Sequence, residues 1–67
     1  MIDPAKIRTA RGIRTQRQYA DDVGVDRMRI SAWERGENSP GLDSLALLAR
    51  EADKPIEWFL VNGEEAA

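Results

Sequence analysis

Arg27, Met28, Ser31 and Ala32 carry the side chains through which this chain can address a partner molecule. Their spacing puts them on one side of a helix, with Ile30 and Trp33 on the other. A guanidinium at Arg27 can donate two parallel N–H bonds to N7 and O6 of guanine, a contact worth about 1–3 kcal/mol of discrimination. Met28 can lie on a thymine methyl, and Ala32, one turn further on, is short enough to admit a methyl or a close backbone. Ser31 can donate to a base or to a phosphate. The N-terminal end of a helix lying in a major groove faces base edges in this way. Each residue also has a plainer reading: Arg27 and Arg29 as solvated cations, Met28 as a partly exposed filler.

Around these four stand residues suited to a phosphate backbone. Gln16 opens the preceding helix, where the dipole and the free N–H groups favour an anion. Arg14, Arg17, Arg29, Arg35 and Asn38 flank the same side from the turn, the two helices and the following loop. Such contacts fix register without reading sequence. Taken singly, each charge is explained as well by solvation.

The elements that must position these groups are short. Asp3-Pro4 supplies a cap and a first-turn proline for a helix over 4–11, with Ile7 and Ala10 inward and Gly12 at its end. Thr15 caps a second helix over 16–23, whose Tyr19, Ala20 and Val23 share a face. Gly24 can take the positive φ that ends a helix and turns the chain. Asp26 caps a third over 27–34, with Tyr19, Ile30 and Trp33 assigned to the core. Residues 36–41 (Gly-Glu-Asn-Ser-Pro-Gly) read as a loop. Leu42 to Ala52 is strongly periodic, with Leu45, Leu48, Ala49 and Ala52 in one stripe and Leu42 and Leu47 beside it. Pro55 opens a fifth helix over 56–61, stopped by Asn62-Gly63. The expected fold is all-α: one compact five-helix domain over 1–63, followed by a flexible tail over 64–67.

Composition narrows the chemistry. The 67 residues contain no Cys and no His, which removes disulfides, thiolate metal sites and the commonest general base. The absence of Cys fits a reducing cytoplasm. No apolar run approaches the ~18–20 residues of a membrane span, and no secretory hydrophobic region opens the chain. Asp21-Asp22 and Glu64-Glu65 are neighbours that do not converge on a substrate, so an enzyme is not expected. The net charge of −2 is unevenly spread. Residues 1–35 hold eight basic against five acidic side chains (+3), and residues 36–67 two against seven (−5). Seven of the eight N-terminal cations are Arg, the better phosphate and guanine donor. Screening hides charge beyond about 8–10 Å, so a basic front with an acidic back can still dock on DNA.

With these residues in place, the chain resembles the Cro and phage-repressor family of helix-turn-helix DNA readers, the XRE-like regulators. The matching stretches are Ile7-Arg8, Arg11-Gly12-Ile13, Thr15-Gln16, Tyr19-Ala20, Val23-Gly24-Val25, Ile30-Ser31-Ala32-Trp33-Glu34-Arg35-Gly36, Pro40, Leu45, Leu48-Ala49 and Ile56-Glu57-Trp58-Phe59-Leu60. The resemblance implies a lambda-repressor-like fold with helices two and three as the DNA-reading pair. It implies that the Gln16 amide touches the DNA backbone and braces the first recognition residue, and that Arg8 and Glu34 form an ion pair tying helix one to helix three. It also implies a dimer through the last helix. Trp58 and Phe59 are adjacent and cannot both enter so small a core, which assigns Ile56, Trp58 and Phe59 to a homodimer interface.

Three departures from the family pattern stand out. The segment Gly12-Ile13-Arg14-Thr15-Gln16 carries one residue more than the usual Gly-Leu-Ser-Gln, and Asp53 stands where a glycine is usual at the exit of helix four, a place for a left-handed conformation at some cost. Arg27 and Met28 replace the Gln frequent on phage-repressor recognition helices, so the operators of those proteins do not carry over.

The expectation is a phage or bacterial Cro-like repressor that binds a palindromic operator as a homodimer in the cytoplasm, at the nucleoid. No cofactor, metal, membrane or small-molecule ligand is expected. With the chain ending after helix five, no sensing or enzymatic domain is expected to be attached. The same module serves antitoxins and restriction-modification controllers. A protein-interaction domain that has lost DNA binding is the reading from another class.

Overall fold

The first three helices begin where the sequence supplies a cap. Asp3 accepts from the Ala5 N–H at 3.0 Å and Asp26 from the Met28 N–H at 3.3 Å. Thr15 and Gln18 cap reciprocally, Gln18 N–H to Thr15 Oγ1 at 3.1 Å and Thr15 N–H to Gln18 Oε1 at 2.9 Å. In the computed structural model, which describes residues 1–61, the helices are α1 Pro4–Arg11, α2 Gln16–Val23, α3 Arg27–Arg35 and α4 Leu42–Ala52. A 3₁₀ turn, Ile56–Phe59, follows. Gly24 joins α2 to α3 at φ 92°, ψ 31°, a conformation that strains any residue with a Cβ. Its N–H and that of Val25 both return to the Ala20 carbonyl, at 2.8 and 3.0 Å, and Val25 tucks under the core. Asp53 takes the left-handed conformation at the end of α4, at φ 55°.

The helices enclose one core. Ile7, Tyr19, Ile30, Leu48 and Phe59 are fully buried, one or more from every element. Val23, Trp33, Leu45 and Ala49 complete the cluster. Leu42, at the start of α4, stands largely exposed.

The fifth α-helix expected over 56–61 is not formed. Trp58 N–H bonds to Pro55 O at 3.0 Å and Leu60 N–H to Glu57 O at 3.1 Å, a three-residue spacing that stops at Phe59. The backbone groups needed to continue are taken by the N-terminus. Asp3 N–H bonds to Phe59 O at 2.9 Å and Val61 N–H to Met1 O at 2.8 Å, so Ile2 and Leu60 form an antiparallel bridge. The Asn62-Gly63 stop and the 64–67 tail lie outside the described residues. Phe59 is also corrected as an interface residue, because its ring has no exposed surface in its own core.

The extra residue between α1 and α2 is absorbed in the turn. Gly12 adopts φ 64°, ψ −133°, Ile13 is thrown into solvent, and Arg14 folds back. Its guanidinium donates to the Ala10 and Arg11 carbonyls at 2.8 and 3.0 Å and pairs with Glu51 at 2.7 Å and Asp22 at 2.9 Å. It also lies 4.8 Å from the centre of the Tyr19 ring. Arg14 thereby connects α1, α2 and α4 as a side-chain cross-brace, and Glu51 and Asp22 hold its pKa above the ordinary arginine value.

Glu34 is the one charged residue buried among those described. Arg11 meets its carboxylate with two N–H donors, Nε to Oε2 at 2.8 Å and Nη2 to Oε1 at 3.1 Å. Gln16 Nε2 adds a third at 3.2 Å. The expected Arg8–Glu34 ion pair is corrected: Arg8 donates to the backbone carbonyl of Glu34, and Arg11, one turn later on α1, holds the carboxylate. Removing one partner of a buried pair strands the other, so Glu34→Ala is expected to cost about 3–5 kcal/mol. Arg8→Ala, which leaves only a carbonyl without its donor, is expected to cost about 1.5 kcal/mol. Urea unfolding of the two variants checks the order, and a larger loss for Arg8→Ala would restore it as the principal partner.

The Tyr19 hydroxyl is buried with no hydrogen-bond partner among the described residues. Burial first, then the Glu51 charge, pushes its pKa up to about 12, from 10.0 in a free tyrosine. Below pH 10 both folded and unfolded states hold the proton, and this group adds no pH dependence. Between about 10 and 12 the unfolded chain releases it first, so stability falls with rising pH, by up to about 1.4 kcal/mol per unit. Tyr19→Phe is expected to lack this increment when urea unfolding at pH ~9 and ~11 is compared with the parent.

Candidate nucleic-acid interface

α3 is fixed from behind. Ile30, Trp33 and Glu34 are buried, while Arg27, Met28 and Arg29 are exposed and Ser31 and Ala32 half-exposed. Nine residues at 1.5 Å each make a rod about 13 Å long, and an α-helix ~10–12 Å across matches a groove ~12 Å wide. Arg27, Met28, Ser31 and Arg35 come together around one shallow concavity of about 300 Å³ on the outward side. Arg17, Arg27 and Arg29 are exposed and make no ion pair among the described residues.

Ser31 and Arg35 are coupled one turn apart. An Arg35 N–H donates to Ser31 Oγ, which leaves the hydroxyl proton of Ser31 to point at a partner. Arg35 also grips Glu37 with two donors, at 2.8 and 3.0 Å. The pairing holds the Glu37 carboxyl below, and the Arg35 guanidinium above, their ordinary pKa values. Both side chains are more than half exposed, so a phosphate can exchange for the carboxylate at little cost.

A second concavity, about 340 Å³, gathers Arg29, Trp33, Asn38, Ser39, Gly41 and Ser44. It brings Arg29 and Asn38 together. Beside them α4 begins at Gly41 with no side-chain cap, leaving its first-turn N–H groups open. Ser39 and Ser44 line the same concavity.

The remaining candidates divide. Gln16 stands at the first position of α2, half-exposed, with its amide N–H committed to Glu34 and its carbonyl oxygen left over. Asn38 is exposed in the loop. Arg14 is corrected as a phosphate contact, because its donors are spent on Glu51, Asp22 and the carbonyls of α1. Of the expected interface group, Ile56 and Trp58 are half-exposed and Phe59 is interior. Among the described residues no acidic cluster could hold a metal ion, and no helix is long and apolar enough to cross a membrane.

Comparison with known proteins agrees with this geometry. A helix-turn-helix family pattern matches residues 5–59, from within α1 through the 3₁₀ turn. The HTH-type transcriptional activator BcrR of Enterococcus faecalis is 35% identical over 60 residues, 90% of this chain and 28% of that relative. The chain thus spans less than a third of the curated relative it matches. No solved structure matches it. A buttressed α3 with an open polar side, Gly24 turning α2 into it, and a family match covering both helices lead to one conclusion: the chain belongs to the XRE-like helix-turn-helix family of DNA-binding transcription regulators.

Proposed function

We propose that the domain lays α3 in the major groove and reads base edges with Arg27, Met28, Ser31 and Ala32. Gln16, Arg17, Arg29, Arg35 and Asn38 hold the phosphates on either side. The observation that carries this reading is the exposure of Arg27 and Met28 on a helix whose opposite side is locked inward by Ile30, Trp33 and Glu34. Four side chains read only a few base pairs, so two copies bind the two halves of a palindromic operator, as in a Cro-like repressor. Phe59 is unavailable, so of the expected interface group Ile56 and the open part of Trp58 remain to pair the two copies. Repression follows by occlusion of a promoter, at the nucleoid in the cytoplasm. Activation, the activity named for the longer relative, belongs to that protein.

Selection of bound sequences from a random duplex library is expected to return an inverted repeat with centres about one turn, ~34 Å, apart. A single unrepeated motif would retire the paired reading. Arg27→Ala is expected to lose about 1–3 kcal/mol on the selected site and little on random DNA. Arg29→Ala is expected to weaken both alike and to flatten the dependence of affinity on salt. Equal losses on both DNAs for Arg27→Ala would make it a phosphate contact.

A further inference from the structure

A third concavity, of about 410 Å³, lies between α1, the end of α4 and the 3₁₀ turn. Thr9, Ala10, Arg14, Glu51, Ala52, Lys54 and Trp58 line it, and none of them belongs to α3. Its volume is within the ~300–1,000 Å³ typical of small-molecule sites. Trp58 is half-buried, packed edge-on against Phe59 with ring centres 5.0 Å apart. Two ammonium groups lie over the same indole, Lys6 Nζ at 5.0 Å and Lys54 Nζ at 5.6 Å from its centre. Lys6 is anchored by donating to the Trp58 carbonyl at 3.1 Å. Neither lysine forms an ion pair among the described residues, although Asp53 and Glu57 are close in sequence. The one carboxylate in the lining, Glu51, is engaged by Arg14, which it shares with Asp22.

We propose that this groove binds a small planar aromatic anion, with its ring between Trp58 and the methyl groups of Ala10 and Ala52 and its acidic group on Lys54. The occupant follows from complementarity. The indole and methyl groups favour a flat apolar body, and the Lys54 ammonium at the rim, without an ion pair among the described residues, favours a negative end. A neutral aromatic forgoes the charge, and a bare anion forgoes the stacking. This site departs from the expectation that the chain takes no small molecule, and it is independent of the DNA-binding reading because it shares no residue with α3.

Phenyl phosphate, inorganic phosphate and phenol serve as probes, followed by ¹⁵N–¹H NMR of the whole chain. Phenyl phosphate is expected to shift the Trp58 indole N–H and the Thr9, Ala10 and Ala52 amides saturably, with an affinity about tenfold above either control. Lys54→Gln, at an exposed position outside the core, is expected to reduce that affinity to the level of phenol while leaving the rest of the spectrum in place. Equal affinities for the three probes, or no effect of Lys54→Gln, would overturn the proposal. So would the same shifts on concentrating the protein alone, which would assign the groove to a second copy.

Discussion

A carboxylate inside a 67-residue chain is expensive unless it is paired and hydrogen-bonded, and Glu34 shows how this fold meets that demand. Arg11 reaches it from α1 with a two-pronged grip, Gln16 from the start of α2, and Arg8 takes the carbonyl of the same residue. Two helices are thus registered against one residue on the inner side of α3. Burial of Ile30 and Trp33 against Ile7 and Tyr19 turns Arg27, Met28, Ser31 and Ala32 outward. The directional bonds to Glu34 add a fixed register of α1 and α2 on the inner side of α3.

The distribution of arginines shows a second division of labour. Arg11 and Arg14 are consumed internally, one by Glu34 and the other by Glu51 and Asp22. Arg35 is held provisionally by Glu37 in the open. Arg17, Arg27 and Arg29 remain exposed without ion pairs among the described residues. An acidic net charge is compatible with DNA binding on these terms, because what matters is which cations stay uncommitted on one side and within a screening length of the phosphates. Helix termini add to that side: α2 begins with Gln16, and α4 begins uncapped beside Arg29 and Asn38.

The end of the described chain follows a different constraint. Once Met1 to Asp3 pair with Phe59 to Val61, the backbone after Pro55 has just enough length for one tight turn. That turn directs Phe59 into the core and leaves Trp58 at the rim, between two lysines. The groove beside Trp58 therefore originates in the pairing of Met1–Asp3 with Phe59–Val61 rather than in a helix–helix crossing.

Much of this was legible in the residues. Asp3, Thr15 and Asp26 as caps, Gly24 as the turn and the apolar periodicity of 42–52 located four helices, because caps and periodicity are local and each residue carries its own signal. The outward set on α3 was legible for the same reason: burying Ile30 and Trp33 dictates what faces away. Partner choice was not legible. Arg8 and Arg11 are both arginines on one short helix, and only the path of the Gly12–Thr15 turn decides which reaches Glu34 and which way Arg14 folds. The fifth helix failed for a related reason, since its hydrogen-bonding groups were claimed by residues more than fifty positions away. The sequence by itself determined the helices, the turn and the polar face of α3, all properties of neighbouring residues. The tertiary structure alone decided which charges are spent in holding the fold and which remain for a partner, because that competition runs between groups distant along the chain and adjacent in space.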